Sequence, residues 1–465
     1  MVDANWQDLI RKKFDNPPTP EQRKEYFGDA LIYKWKTEFE KRVWDSPQYA
    51  EISFHTLFGQ LQSVKDKRII YENNVSDMRV HLILFQRSGT GKGRGYNFTM
   101  EMAGHLNLHC FSADAMTDGV LLGSFIHEEG QREPVRIRGI LDENRIPQIS
   151  ILIQNEATLI IDTKKTDISK DFMNYFQKAM NTIGTPDNLI EKSTLQMRGQ
   201  TIRIQPEVSF LFTTYVPEKL LEVITKTGYL QRMICLYNNV SFDKRTESWE
   251  TLAGVTGVKS SGVNYIPDII DAMNYIQEHY RRNPKIEMSK QANESCKNVM
   301  RQIYKPLLKV NEAMREHLAD FVPRTYENVI KLAHHHAMCR LSSTVDTVDI
   351  GYGLKTLQPA WIRMITYMEE SDSIIAETLK KWERHRKDAF RVYDMILEEQ
   401  KKKGKEADGW VKKGTMVKLL SSKIYGWDKT KETTRSRLNK LTSDLKYFTE
   451  GKNGEGITCL KKVDT

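Results

Sequence analysis

The spacing of apolar residues changes along the chain, and each change marks a different kind of structure. Over the first ~70 residues apolar positions recur at helical intervals (Ala30, Leu31, Tyr33, Trp35, Phe39), after a Pro-rich turn at Asn16-Pro17-Pro18-Thr19-Pro20. From about Ile69 to Phe242 short apolar runs alternate with helical stretches, which predicts an α/β domain. Val80–Phe85, Ile149–Ile153 and Val208–Phe212 are short runs, apolar at all but one position each and set between polar residues, the pattern of parallel strands buried on both faces. From Ile266 to Met368 the pattern is helical again, and Lys380–Glu399 predicts one more helix. A charged linker, Lys401–Gly409, separates it from a small C-terminal domain. The boundaries expected are therefore 1–68 for an N-terminal helical region, 69–265 for the α/β core, 266–375 for a helical lid, 376–408 for helix and linker, and 409–465 for the last domain.

Composition narrows the classes of function. The 465 residues carry 70 Lys+Arg against 61 Asp+Glu, a formal charge of +9, with 39% hydrophobic residues. That is an ordinary globular balance, and none of the apolar runs approaches the ~20 residues of a membrane span. Met1–Trp6 lacks the basic and apolar regions of a secretory signal, and the five cysteines are scattered without a Cys-x-x-Cys pair. Reduced thiols and a cytoplasmic, nucleoid-associated location are expected, and the basic excess favours nucleic acid as a partner. No period of 20–50 residues repeats.

The densest chemistry follows the first apolar run. Gln86-Arg87-Ser88-Gly89-Thr90-Gly91-Lys92-Gly93-Arg94-Gly95 leads into a helical stretch expected over Tyr96–Leu106. Strand, Gly-rich turn and helix is the setting of a phosphate-binding loop: the glycines let backbone N–H groups converge, and the helix N-terminus adds partial positive charge. Lys92 would hold the β- and γ-phosphates of ATP, with Ser88, Gly89, Thr90, Gly91 and Gly93 around them. Gln86 stands where the motif has its first glycine, and Gly93 where a Ser/Thr would bind Mg²⁺. A dinucleotide fingerprint on the glycines at 89, 91, 93 and 95 is the competing reading, and a plain flexible loop the other.

Hydrolysis needs a carboxylate at the end of a strand beside the first. Ile149–Ala157 offers Glu156 to activate water, with Asn155 where an Mg²⁺-holding Asp usually stands. Leu159-Ile160-Ile161-Asp162 is a rival. Thr213 and Thr214 end the Val208 run with hydroxyls suited to sensing the γ-phosphate or water. Arg232, just before the apolar run at Ile234, suits an arginine finger acting across a subunit interface. His105-x-x-x-His109-Cys110 has tolerable metal-ligand spacing on a helix but no fourth partner, and three successive histidines, His334–His336, would point in different directions.

With these pieces in order, the chain resembles the AAA+ superfamily of ring-forming ATPases over about Val80–Ile365. Within it the chain is similar to minichromosome-maintenance (MCM)-like helicases of the reduced type carried by phages and mobile elements. Gly123–Gln131 with Val135–Leu141 resembles that family's helix-2 insert hairpin, and Leu195–Arg203 its pre-sensor hairpin. In relatives these hairpins line a DNA channel, which makes Arg198 and Arg203 the cationic candidates. Pro323–Ala337 is similar to the MCM lid helix and assigns the sensor-2 role to Arg324. The resemblance implies a P-loop ATPase core with an all-α lid. It also implies ATP and Mg²⁺ as cofactors, with Asn155 and Glu156 at the metal, and assembly into a hexameric ring.

Between Gly409 and Thr465 thirteen Lys/Arg face six Asp/Glu, a net +7 of the chain's +9. Helices over Thr415–Ser422 and Lys431–Leu445, then a hairpin of Lys446–Thr449 with Ile457–Val463, predict a winged-helix domain. Lys431, Thr434, Arg435, Arg437 and Lys440 would face DNA, or the same domain would dock replication proteins. The function expected is an ATP-dependent DNA helicase or translocase in replication. The alternative is a nucleotide-switched DNA-binding scaffold (an initiator, helicase loader or transposition-targeting ATPase), and a metabolic kinase is a distant third.

Overall fold

A computed structural model describes residues 13–15, 17–43, 46–63, 69–71, 74–86, 91–111, 118–126, 135–141, 150–154, 169–193, 201–215, 228, 230–238, 246, 262–282, 285–310, 312–403, 409–423, 431–443, 447–452 and 457–463. The chain divides into two compact units, Met1–Glu369 and Glu370–Thr465.

The first unit is built on a five-stranded, all-parallel sheet. Its strands are β1 (Leu82–Gln86), β2 (His109–Phe111), β3 (Ser150–Gln154), β4 (Val208–Thr214) and β5 (Ile234–Asn238). Across the sheet the order is β5-β1-β4-β3-β2. Every residue of β1 and β4 is buried, so the continuous apolar runs are strands covered on both faces. β1 therefore neighbours β4 and β5, and the strand leading to Glu156 lies one place beyond β4. The expectation that the carboxylate strand sits beside the first is corrected. A short apolar run specifies burial but not which neighbour it pairs with.

Around the sheet lie α1 (Asp29–Glu40), α2 (Pro47–Gln62), α3 (Lys92–His105), α4 (Val322–Cys339) and, as far as Glu369, the first part of α5 (Thr347–Lys402). Helix α2 buries thirteen of its sixteen residues and is a core helix, not a peripheral one. Trp35, Phe39, Tyr49, Phe54, Phe98 and the strand residues share one hydrophobic core with Val329, Ile330 and Trp361. The N-terminal helices, the sheet, α4 and the first part of α5 thus close a common interior.

Helix α3 begins at Lys92, a full turn before the expected Tyr96, with Gly91 at φ +83° ahead of it. Gly95 lies inside the helix, where glycine is about 1 kcal/mol worse than alanine. Its use is spatial: a Cβ there would stand 2.4 Å from Tyr49 Cε1 and 2.8 Å from Phe39 Cζ. The fourth glycine of the expected turn therefore belongs to packing against α1 and α2. The helix ends at His105, Asn107 takes φ +55°, and His109 starts β2, so His105 and His109 do not share a helix.

Two antiparallel hairpins are present: Gly123–Ile126 with Val135–Arg138, within the expected span, and Ile190–Ser193 with Thr201–Ile204, whose first arm lies before the expected Leu195. In the second unit the last turns of α5 bury Ala389, Val392, Tyr393 and Ile396 against Leu420, Leu438, Leu441 and Phe448. Helices Lys413–Lys423 and Lys431–Ser443 precede a hairpin of Phe448–Lys452 with Thr458–Lys462. Val411–Lys412 adds a third strand, which two residues are too few to announce.

Candidate nucleotide site

The carboxyl ends of β1, β3 and β4 lie in register: Thr214 pairs with Phe85, and Phe212 with Gln154. This is the edge at which open parallel sheets take ligands. Lys92 is only 6% exposed, and its ammonium sits 3.5 Å from the centroid of the Tyr215 ring, just beyond β4. An enclosed ammonium at the head of a helix that follows a parallel strand fits a phosphate group. Gly91 and Gly93 accompany it; Ser88, Gly89 and Thr90 lie outside the described residues.

Gln86 is fully buried, and Asn238 Nδ2 donates to its Oε1 at 3.4 Å and to Ser46 Oγ at 2.7 Å. The side chain in the place of the motif's first glycine thus helps tie β1 to β5. Ser46, Tyr215 and Asn238 escaped sequence reasoning because each stands alone in its own segment. The helix carrying Lys92 is braced from behind. Arg42 pairs with both oxygens of Glu101 and lies 4.9 Å from the Phe98 ring centroid, while Trp35, Phe39 and Tyr49 form an edge-to-face aromatic cluster with Phe98 and one another.

Asn155, Glu156 and the rival Asp162 lie outside the described residues. Thr213 and Thr214 are buried at the end of β4. Of the residues proposed around Mg²⁺, Gly93 brings no oxygen-bearing side chain. Among the described residues no group of three or more His, Cys, Asp or Glu is placed to hold a metal. All three consecutive histidines are buried: Nδ1 of His334 meets the Ile330 carbonyl at 2.8 Å, Nε2 of His335 the Met78 carbonyl at 2.8 Å, and Nδ1 of His336 Asp349 at 2.6 Å.

The two candidate arginines come together. Arg232 donates from Nε to Asn181 Oδ1 at 2.8 Å and from Nη1 to the Gly228 carbonyl at 2.6 Å. Burial, and then the nearby Arg324 guanidinium, lower it to about 10. Arg324, in the first turn of α4, donates to Glu327 at 2.7 Å with its side chain 37% exposed. Burial alone would raise the Glu327 carboxyl, but Lys331 and Arg324 outweigh it and hold it down to about 2. Ser76 donates to the same carboxylate.

Arg232 immediately precedes β5, whereas Lys92 and its helix follow β1. The strands are parallel, so the arginine lies at the opposite edge of the sheet. Five residues at ~3.3 Å separate the edges by roughly 16 Å. Beneath Arg324, Arg79 is fully buried and held by Asp77, by the Ala179 and Val208 carbonyls at 2.9 and 3.1 Å, and by the Asn181 carbonyl at 2.6 Å. Lys331 donates to the Arg79 carbonyl at 2.9 Å.

No protein-family model matches the chain, and no curated protein matches it.

Arg198 lies outside the described residues, and Arg203 is exposed but paired across its hairpin with Glu191 at 2.5 Å. In helix Lys431–Ser443, Thr434, Leu438 and Leu441 face inward and Arg435 outward, with Arg437 half-buried. Thr434 is thus corrected from a DNA-facing residue to a core one, because it falls on the same helical stripe as the leucines. For Lys431 and Lys440 only the helical backbone is described. No helix among the described residues is long and apolar enough to cross a membrane.

Proposed function

We propose that the chain is a ring-forming, ATP-driven DNA motor of the AAA+ class, similar to MCM-like helicases, with ATP and Mg²⁺ as cofactors. In this reading Lys92 holds the terminal phosphates, Glu156 activates water, and Thr213 or Thr214 orients it. Arg232 and Arg324 neutralise charge on the nucleotide of a neighbouring copy. The C-terminal unit acts as a winged helix on DNA or on a replication partner.

The observation that carries the reading is the placement of the arginine pair. It stands about a strand's length from the enclosed lysine, at the other edge of one sheet, so the pair cannot reach phosphates held by Lys92 of its own chain. A head-to-tail contact between copies would bring the two edges together, and contacts of that type close into rings. An arginine supplied across an interface is worth 10³–10⁵ in rate.

Mixing variants tests this. Lys92→Ala and Arg324→Ala should each abolish hydrolysis alone. An equimolar mixture should recover activity, because about one head-to-tail interface in four then has both residues intact. A mixture as inactive as its components would refute the shared site. Gly93, lacking the metal-binding hydroxyl, favours the second reading, a nucleotide-switched scaffold. Assembly on duplex DNA without separation of a forked substrate would decide for it.

A further inference from the structure

The first turn of α3 gathers positive charge. Lys92 and Arg94 stand in it, and no acidic residue does. The peptide dipoles of a helix leave partial positive charge at this same end, so a cation here is disfavoured unless something electron-rich meets it. For Lys92 the ring of Tyr215 does so. Its ammonium lies over the ring, 3.5 Å from the centroid, where the π-electrons present negative charge.

The contact leaves no way in for an anion. The ammonium nitrogen of Lys92 is enclosed away from solvent. A phosphate oxygen bonded to an ammonium must come within about 2.7–2.9 Å of the nitrogen. At 3.5 Å the ring is already in van der Waals contact, so no oxygen fits between the two. One of the partners has to move before a phosphate reaches Lys92.

The packing says which one. Helix α3 is held by Phe98, which meets Trp35 and Phe39 edge to face, and by the Arg42–Glu101 pair. On the other side Thr213 and Thr214 are buried, and Thr214 pairs with Phe85 across the sheet. Tyr215 is the first residue beyond β4 and is half-buried. Its ring can therefore turn about its own side-chain bonds while the strand behind it stays in place.

We infer that the Tyr215 ring is a placeholder for phosphate: it holds the Lys92 ammonium when no nucleotide is bound and is displaced when the phosphates of a nucleotide take its position. The inference rests on the reading of Lys92 as a phosphate ligand and adds to it a residue that opposes binding.

Two consequences have fixed signs. Removing the attraction of the ring tightens nucleotide binding, because binding no longer breaks that contact. By linkage, the contact stabilises the nucleotide-free fold and not the nucleotide-bound one. A desolvated cation–π contact corresponds to about tenfold in an equilibrium constant. A residue that only shapes the site has the opposite sign, since its loss weakens binding.

Titration calorimetry of the full chain with a non-hydrolysable ATP analogue and Mg²⁺ tests this. The wild type is compared with Tyr215→Leu, with Tyr215→Phe, and with pentafluorophenylalanine in place of Tyr215. The fluorinated ring keeps its shape but reverses the charge on its face, so it still decides if Tyr215→Leu does not fold. Tyr215→Leu and the fluorinated ring should each bind about tenfold more tightly, and Tyr215→Phe, which keeps the attractive face, should restore the wild-type value. In urea unfolding the fluorinated variant should have about a tenfold smaller folding constant than the wild type without the analogue, and the same constant at a saturating concentration of it. Equal or weaker binding by both ring variants, with binding lost in Lys92→Ala, would overturn the placeholder alone. Lys92→Ala binding the analogue as tightly as the wild type would overturn the phosphate reading and the placeholder with it.

Discussion

Replacing Gly95 with alanine sets two effects of opposite sign against each other. Helix propensity alone predicts that Gly95→Ala stabilises α3 by about 1 kcal/mol. Packing predicts the reverse, since the new methyl would lie 2.4 Å from Tyr49 Cε1 and 2.8 Å from Phe39 Cζ. Neither ring can yield easily: Tyr49 is 1% and Phe39 0% exposed, and the two meet edge to face at 5.0 Å. Overpacking a well-filled core costs about 1–3 kcal/mol and more when rigid groups collide. We expect the clash to win, with a net loss of about 2 kcal/mol in urea unfolding of the full chain.

A second background makes the cause visible. With Tyr49→Ala already in place the nearest colliding atom is gone, and adding Gly95→Ala should then be much less harmful or even stabilising. The coupling between the two changes should reach 1 kcal/mol or more, within the ~0.5–3 kcal/mol range of residues in contact. If Gly95→Ala is equally harmful in both backgrounds, or stabilises the wild type, the glycine is not there for Tyr49. The nucleotide affinity of the same variants then reports whether displacing α3 disturbs Lys92.

Two further outcomes are expected. Asp77→Ala leaves the fully buried Arg79 without its carboxylate and should cost about 3–5 kcal/mol in urea unfolding, partly recovered in Asp77→Leu/Arg79→Met. Burial would raise the Asp77 carboxyl, but Arg79 and Lys331 hold it well below its usual range. Its contribution is therefore present above ~3.9 and lost as pH falls below that. Arg435→Ala, on the exposed face of its helix, should weaken DNA binding equally across sequences and lower the salt slope by about 1 in fluorescence anisotropy. Unchanged binding would favour protein docking by the C-terminal unit.

What the sequence declared, and what it withheld, divide along physical lines. Leu82–Phe85 and Val208–Phe212 were legible as buried strands because burial on both faces is written into consecutive residues. The start of a helix near Lys92 was legible because strand, glycine-rich turn and helix are neighbours in the chain. The order of strands was not, since inserting β4 between β1 and β3 depends on pairing between segments far apart in sequence. The same holds for Arg232 and Arg324, whose proximity couples two residues that no local pattern joins. Gly95 was misread for a related cause: within a run of glycines, turn-making and packing glycines look alike until the partner ring is located.

Helix α2 shows why the N-terminal region belongs to the candidate site and not to its periphery. Near its start Tyr49 lies against the α3 backbone at Gly95, and near its end Gly59 lies against His335 of α4 and the Met78 carbonyl before β1. Both contacts exist because a glycine removes the Cβ that would otherwise hold the elements apart. Such closely packed contacts have little room for sliding, and interiors of native density transmit displacement. A shift of α3 would therefore press on α2, and a shift of α2 on the helix that carries Arg324. Lys92 at the head of α3 and the arginine edge, far apart across the sheet, have this buried helix as a shared mechanical support.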